Sequence, residues 1–224
     1  MLEHIPHWMG KMLRSVRAGH AKLVVVQNGI APAGPMLELA SPAFGNGARL
    51  PVRFTADGNG VSPPLVWSDP PAGTASLALI VEDPYAPAGQ PLVHAIVWNI
   101  PASEQRLVEG AIQRDGKGRA NGSDVGRNSF WSEGWLPPDP PTGHGSHDYV
   151  FQLFALSQTP ALDPSPGRTA LVDALRGHAL AAGILVGTYS RGDEVPLLAG
   201  AMPASPAPAW GGHISSSPRN AAVL

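Results

Sequence analysis

The stretch that decides the fold is Ser76-Leu77-Ala78-Leu79-Ile80-Val81-Glu82, which is followed at once by Asp83-Pro84-Tyr85-Ala86-Pro87. An apolar run of this length that ends at a proline-rich turn is typical of a buried β-strand. Asp83 then lies at the strand end, where its simplest interpretation is a residue that starts a turn before proline. A functional role for this carboxylate therefore needs support from other segments.

Short apolar runs separated by turns continue along the chain. The composition favours short strands over long helices, because 25 prolines and 26 glycines in 224 residues exceed their usual combined share of about 12%. We therefore expect a mainly β (α+β), β-sandwich-like fold. The other predicted strands are Leu23–Val26, Leu50–Phe54, Leu65–Trp67, His94–Ile100, Tyr149–Leu156 and Ile184–Tyr189.

Two segments have helical spacing instead. An amphipathic helix is predicted over about residues 6–18, and a second helix is predicted from Thr169, as its N-cap, to about Ala182. Residues 192–224 are rich in Ala, Pro, Ser and Gly and have little periodicity, so we expect a flexible tail. The predicted organisation is one domain over residues 1–191, with that tail after it.

Composition limits the possible partners and chemistry. Hydrophobic residues make up 43% of the chain, and its net charge is -2, which argues against nucleic acid as a partner because phosphate backbones need clustered Lys and Arg. The absence of cysteine excludes disulfides and thiolate ligands. No signal peptide and no apolar run long enough to cross a membrane are found, so a cytoplasmic location is expected.

Two histidines begin apolar strands. Alternation along the strand puts His94 on the same face as Ile96 and Trp98, where a histidine is most simply a hydrogen-bonded core residue. His147 follows a Pro/Gly-rich loop, and alternation places it with Tyr149 on one face and Asp148 on the other. Strand ends beside such loops are where polar pockets tend to form.

These segments together resemble the phosphatidylethanolamine-binding protein family, in its bacterial branch of Raf kinase inhibitor-like proteins. The resemblance runs in order from about Leu37 to Arg191. It rests on Asp83-Pro84-Tyr85-Ala86-Pro87 with His94, on Pro140-Pro141-Thr142-Gly143-His144-Gly145-Ser146-His147-Asp148-Tyr149, on Gly187-Thr188-Tyr189-Ser190-Arg191 and on Ser62-Pro63-Pro64-Leu65-Val66-Trp67.

The resemblance implies a Greek-key core of antiparallel sheets with short peripheral helices. It also implies a non-enzymatic binding protein, without metal or cofactor, whose small pocket accepts phosphate-type anions or phospholipid head groups. A kinase or protease partner, a homodimer and a cis bond at Ala86-Pro87 are further implications. The implied site residues are Asp83, His94, His147, Tyr149 and Tyr85, with Tyr189 at the rim.

The chain departs from the family pattern at several positions around this site. Tyr85 replaces a second Asp of the first motif, which changes the expected head-group preference, and Asp148 replaces an Arg that alternation points away from His147. Trp135 and Pro137 replace a Tyr and a Gly, which would narrow or stiffen the pocket mouth.

A carboxylate fits an anion site if the bound anion keeps a proton. A phosphate hydroxyl can donate to Asp83, while imidazole N–H groups and backbone amides donate to the other oxygens. If His94 or His147 titrates near pH 6.5, binding is expected to tighten as the pH falls.

Two hydrolase hypotheses use the same segments. One is a metal-dependent hydrolase with His144 and His147 and either Asp139 or Asp148, although the segment is a loop and no third histidine is near. The other is a serine hydrolase with Ser146 as nucleophile, His94 as base and Asp83 as orienting acid, but no Gly-x-Ser-x-Gly elbow surrounds Ser146.

Overall fold

The computed structural model describes residues 18–27, 29–30, 34–113, 119–120 and 123–191. The predicted helix over about residues 6–18 falls outside this part except for its last residue, and the predicted tail over 192–224 lies wholly outside it. The division of the chain into residues 1–191 and 192–224 therefore stays a prediction.

The described residues form nine strands in two antiparallel sheets. The small sheet has the order β1-β2-β5, and the large sheet has the order β6-β7-β4-β3-β8-β9. The strands are β1 Leu39–Ala40, β2 Leu65–Trp67, β3 Ser76–Asp83, β4 Leu92–Pro101, β5 Arg106–Leu107, β6 Arg119–Ala120, β7 Ser123–Val125, β8 His147–Leu156 and β9 Ala179–Tyr189. The mainly β prediction is confirmed.

The large sheet buries both of its faces, which explains why β3 reads as a continuous apolar run. On one face, Leu77, Leu79 and Val81 pack against residues of the small sheet, including Leu65 and Trp67. On the other face, Ala78 and Ile80 join a second cluster that contains the residues of the helix: Leu171, Val172 and Leu175. One hydrophobic core thus lies between the two sheets, and a second core lies between the large sheet and the helix.

The helix, α1, spans Arg168–Leu175 and is shorter than predicted. Gly177 has a φ of 72°, a left-handed conformation that suits a chain reversal after a helix. Residues from Ala179 onward belong to β9 and pair with β8, so the apolar pattern that extended the predicted helix is that of a buried strand. Thr169 does not cap α1, because the N-cap position is occupied by Gly167.

Two predicted strands are 3₁₀ turns instead. Within the predicted strand Leu23–Val26, the backbone amides of Val24 and Val25 donate to the side chains of Glu82 and Gln152 rather than to a neighbouring strand, and Val24–Val26 forms a single turn. In Leu50–Phe54, Pro51 precedes a turn over Val52–Phe54, because proline lacks the N–H that a ladder needs.

A β-bulge in β4 controls the direction of His94. Glu82 pairs with Val93 and Val81 pairs with Ala95, so His94 is an extra residue without a partner in β3. A bulge of this kind reverses the alternation of side chains along a strand. The prediction that His94 shares a face with Ile96 and Trp98 is wrong, since those two residues pack in the helix-side cluster.

Two further findings concern the backbone and the apolar segments. No cis peptide bond occurs in the described residues, which include Ala86 and Pro87, so the expected cis bond there is wrong. Among the helices that the structure describes, none is long and apolar enough to cross a membrane.

Candidate functional site

A pocket of about 530 Å³ opens where β3 ends and β8 begins. Four of the six predicted site residues line it together, whereas Tyr85 and Tyr189 do not. No lysine or arginine is among the lining residues in the described part of the chain. The polar side chains that line it are Asn59, Asp83, His94, Asn128, Ser132, Asp139, His147 and Tyr149.

The carboxylate of Asp83 is already held by three hydrogen bonds within the protein. Its Oδ1 accepts from the backbone amides of Tyr85 at 2.7 Å and Ala86 at 3.1 Å, as in an Asx turn. Its Oδ2 accepts from Nδ1 of His147 at 2.7 Å. These two amides therefore serve the carboxylate and are not free to donate to a bound anion.

His147 is bonded at both ring nitrogens. Besides the contact of Nδ1 with Asp83, its Nε2 lies 2.6 Å from Nδ1 of His144. All three side chains are buried, and His144 is fully so. They form a buried carboxylate–imidazole–imidazole chain, in which His147 is a wall of the pocket rather than a free donor. Sequence reasoning considered His144 only as a metal ligand and missed this contact.

His94, unlike His147, has a hydrogen-bond partner in the described part of the chain at only one of its ring nitrogens. Its Nδ1 lies 2.7 Å from the carbonyl oxygen of Leu136, and since a carbonyl only accepts, Nδ1 carries the proton. The buried Nε2 has no hydrogen-bond partner among the described residues. Burial lowers the pKa of His94, despite the opposing attraction of Asp83. The neutral ring therefore offers a lone pair at Nε2.

Aromatic rings fix the position of His94. The ring of Tyr149 meets it edge to face with centroids 4.9 Å apart, and the ring of Trp135 lies 6.2 Å away. Burial raises the pKa of Tyr149 well above its ordinary value, so its hydroxyl keeps its proton and can donate. Trp135 is anchored by donation from its Nε1 to the carbonyl of Phe54 at 3.1 Å.

An ionic cluster borders the pocket on the side of the last strand. Arg191 binds the carboxylates of Asp57, at 2.6 Å, and Asp139, which is a pocket residue. Hydrogen bonds to Asp57 raise the pKa of Arg191, and the contact with Arg191 lowers the pKa of Asp57. Tyr189 donates to the same Asp57 at 2.7 Å, so it supports this cluster instead of lining the pocket.

Tyr85 lies outside the pocket, between two histidines. Its ring is 5.1 Å from that of His20 and 6.2 Å from that of His147. Nε2 of His20 in turn lies 3.1 Å from the carboxylate of Asp148, which points away from the pocket, as alternation along β8 predicts.

The geometry does not favour the two hydrolase hypotheses. Asp83 contacts His147 rather than His94, and Ser146 is exposed and absent from the pocket wall. The described residues contain no group of three or more His, Cys, Asp or Glu that could hold a metal ion.

Fold and pocket together define a class of protein, in which two antiparallel sheets carry a small, partly polar pocket at their strand ends. The family profile described as "Phosphatidylethanolamine-binding protein" matches residues 40–190. The chain belongs to the phosphatidylethanolamine-binding protein family.

Individual relatives agree with this assignment. A UPF0098 protein of Aquifex aeolicus is 36% identical over 159 residues, which cover 70% of this chain and 91% of the relative. LppC, a candidate lipoprotein of Mycobacterium tuberculosis, is 40% identical and is covered to 75%, against 71% of this chain. The crystal structure of Escherichia coli YbcL, described as a new member of the mammalian family, matches with 30% identity and a TM-score of 0.65, covering 70% of this chain and 99% of YbcL.

Proposed function

We propose that this protein is a binding protein without catalytic activity, whose pocket holds a phosphate-type anion or the phosphorylated head group of a phospholipid. The observation that carries the proposal is the buried, unpartnered Nε2 of His94. A buried polar atom without a partner is costly, and a ligand that supplies the missing hydrogen bond removes that cost.

The groups in the pocket favour a ligand that both accepts and donates. Tyr149 can donate to a phosphoryl oxygen, whereas Nε2 of His94 needs a donor. The nearby carboxylates of Asp83 and Asp139 disfavour a fully ionised phosphate. A phosphate that keeps one hydroxyl supplies that donor.

This proposal modifies the chemistry expected from sequence. Asp83 and His147 shape and polarise the wall, since their mutual bond and the contact with His144 occupy them. His94 and Tyr149 are left as the groups that contact the ligand directly. Sulfate has the shape of phosphate but no proton near neutral pH, so it is expected to bind poorly.

Calorimetric titration of phosphoethanolamine, inorganic phosphate and sulfate tests the proposal. We expect His94→Ala to weaken phosphoethanolamine binding by about ten- to a hundredfold, the value of a hydrogen bond with a charged partner. The double change His94→Ala with His147→Ala is expected to abolish it. The control His178→Ala alters a histidine between α1 and β9 that contacts Gln158 and does not line the pocket, so it should leave affinity unchanged. Equal affinity for sulfate and phosphate, or full affinity in the double variant, would contradict the pocket assignment.

Regulation of a kinase or protease partner is an extension of the same proposal. A phosphorylated side chain of a partner carries the chemistry that the pocket is proposed to bind. Comparing partner capture by the parent and by the double histidine variant tests this extension, and equal capture would count against it. Homodimer formation and a cytoplasmic location stay predictions from sequence.

A further inference from the structure

A tight turn beside the pocket exposes two aromatic side chains to solvent. In the turn Asn128–Ser132, Phe130 is 46% exposed and Trp131 is 78% exposed, the largest value among the exposed large hydrophobic residues described. Single exposed apolar residues are ordinary, but adjacent aromatics in one turn form a continuous apolar projection.

The backbone of this turn is held in a strained conformation. Trp131 has a φ of 62°, which is rare for a bulky residue. Asn128 holds the turn, since its Oδ1 accepts from the amide of Phe130 at 2.9 Å and its carbonyl accepts from that of Trp131 at 3.1 Å. Surroundings that enforce strain and expose an indole point to a functional role.

The turn is attached directly to the pocket. The amide of Ser129 donates to the carbonyl of Val93 at 3.0 Å, and the amide of Val93 donates back to the Ser129 hydroxyl at 2.8 Å. Val93 precedes His94 in β4, and Phe130 itself lines the pocket. Phe130 is therefore part of the pocket wall, whereas Trp131 lines an adjoining cavity together with Arg127, and Asn128 lines both.

A positive charge lies at the base of the projection. The guanidinium of Arg127 is 5.1 Å from the ring centroid of Trp131, and its buried Nε has no hydrogen-bond partner in the described part of the chain. An indole above a guanidinium suits the boundary of a phospholipid bilayer, where Trp lies at the level of the head groups and Arg meets their phosphates.

We infer that the turn Asn128–Ser132 is a membrane-docking element, which inserts Trp131 into the interface of a phospholipid bilayer so that the pocket can take a head group from that surface. This inference rests on the proposed function, because it names the source of the ligand. A bilayer is favoured over a protein partner by the guanidinium under the indole and by the position of Phe130 in the pocket wall.

The test is sedimentation of the full chain with vesicles of phosphatidylcholine that contain phosphatidylethanolamine and phosphatidylglycerol. We expect Trp131→Ala to weaken vesicle binding by about tenfold, because it removes the largest apolar surface of the turn. Trp131→Phe should retain most of the binding, and Arg127→Gln should reduce the part that is sensitive to salt. The matched control is Met36→Ala, which shortens another exposed side chain, 68% exposed.

Calorimetry with soluble phosphoethanolamine separates the two proposals. Unchanged affinity of Trp131→Ala for the soluble compound, together with weakened vesicle binding, supports docking by the turn. Parent-like vesicle binding by Trp131→Ala, or a parent protein that binds phosphoethanolamine but no vesicles, overturns the inference and would assign the exposed aromatics to a protein contact. Failure of the parent to bind phosphoethanolamine overturns the proposed function instead. Equal weakening of vesicle binding by Trp131→Ala and Met36→Ala would also overturn the inference, since the loss would not be specific to the turn.

Discussion

The neutral state of His94 leads to a specific pH dependence of ligand binding. With the Nδ1 proton directed at Leu136, Nε2 keeps its lone pair, and His94 is one of the residues that line the pocket. The oxygens of a dianionic phosphate only accept hydrogen bonds, so they cannot bond to an Nε2 that also only accepts. One added proton, on the phosphate or on Nε2, creates a hydrogen bond between them. Binding is therefore expected to take up about one proton at pH 7 to 8.

The magnitude follows from the second pKa of a phosphate monoester, which is near 6. About half of the ligand is monoanionic at pH 6 and about one molecule in a hundred at pH 8, so the affinity for phosphoethanolamine should fall about 50-fold over that range, or about 2.3 kcal/mol. Affinity is expected to fall as the pH rises because the proton must come with the ligand or from solution. Burial lowers the pKa of His94, so its side chain does not supply that proton in the free protein.

The assay is calorimetric titration at pH 6, 7 and 8, repeated in buffers of different ionisation enthalpy to count the protons taken up. In His94→Gln, an amide can rotate to donate to the dianion, so the pH dependence should become much shallower. His178→Ala should keep the full slope. An affinity that is flat or rises between pH 6 and pH 8 in the parent protein would refute the assignment of a neutral, accepting His94.

Three further predictions concern stability and can be checked by urea unfolding. Glu82→Gln should lower the free energy of unfolding by about 2 kcal/mol, because the buried Glu82 carboxylate binds Arg168 at 2.6 Å. The control is Glu38→Gln, at an exposed position, and an equal loss of stability in both variants would contradict this role of Glu82. Gly126→Ala should cost about 1–3 kcal/mol, since a Cβ there would lie 2.5 Å from the Pro166 carbonyl oxygen, whereas Gly89→Ala, with nothing within 4 Å, should be nearly neutral. The ligand-free protein should lose stability as the pH falls below about 6.5. Burial lowers the pKa of His94 in the folded protein, so the unfolded chain binds a proton at this residue at a higher pH than the folded protein does. A decline that is just as steep in His94→Gln would argue against His94 as the cause.

The sequence predicted the sheet better than it predicted the site. Period-two patterns located β8 and placed Tyr149 and Asp148 on opposite faces, because a strand without bulges keeps its alternation. The same rule failed in β4, since nothing in its apolar residues marks His94 as an extra residue. The predicted helix ran too far because Ala and Leu favour a helix locally, whereas pairing with β8 places the residues from Ala179 onward in a strand.

The hydrogen bonds that define the pocket could not be derived from spacing. The four lining residues were found through motif resemblance, but the partner of His94 is a backbone carbonyl from a distant loop. Sequence pattern carries no signal for such a contact. The sequence shows that His144 and His147 are only three residues apart, but the contact between their rings appears only in the folded structure.

The bulge in β4 makes the pocket sensitive to chain length as well as to residue type. Deleting one residue between Leu92 and Ala95 would restore a regular ladder and shift the phase of the strand, even if every lining residue type were kept. A relative with a gap at this position would thus lose the imidazole from its pocket without any substitution there. Insertions and deletions in this strand are therefore expected to alter ligand recognition more sharply than most replacements of single side chains.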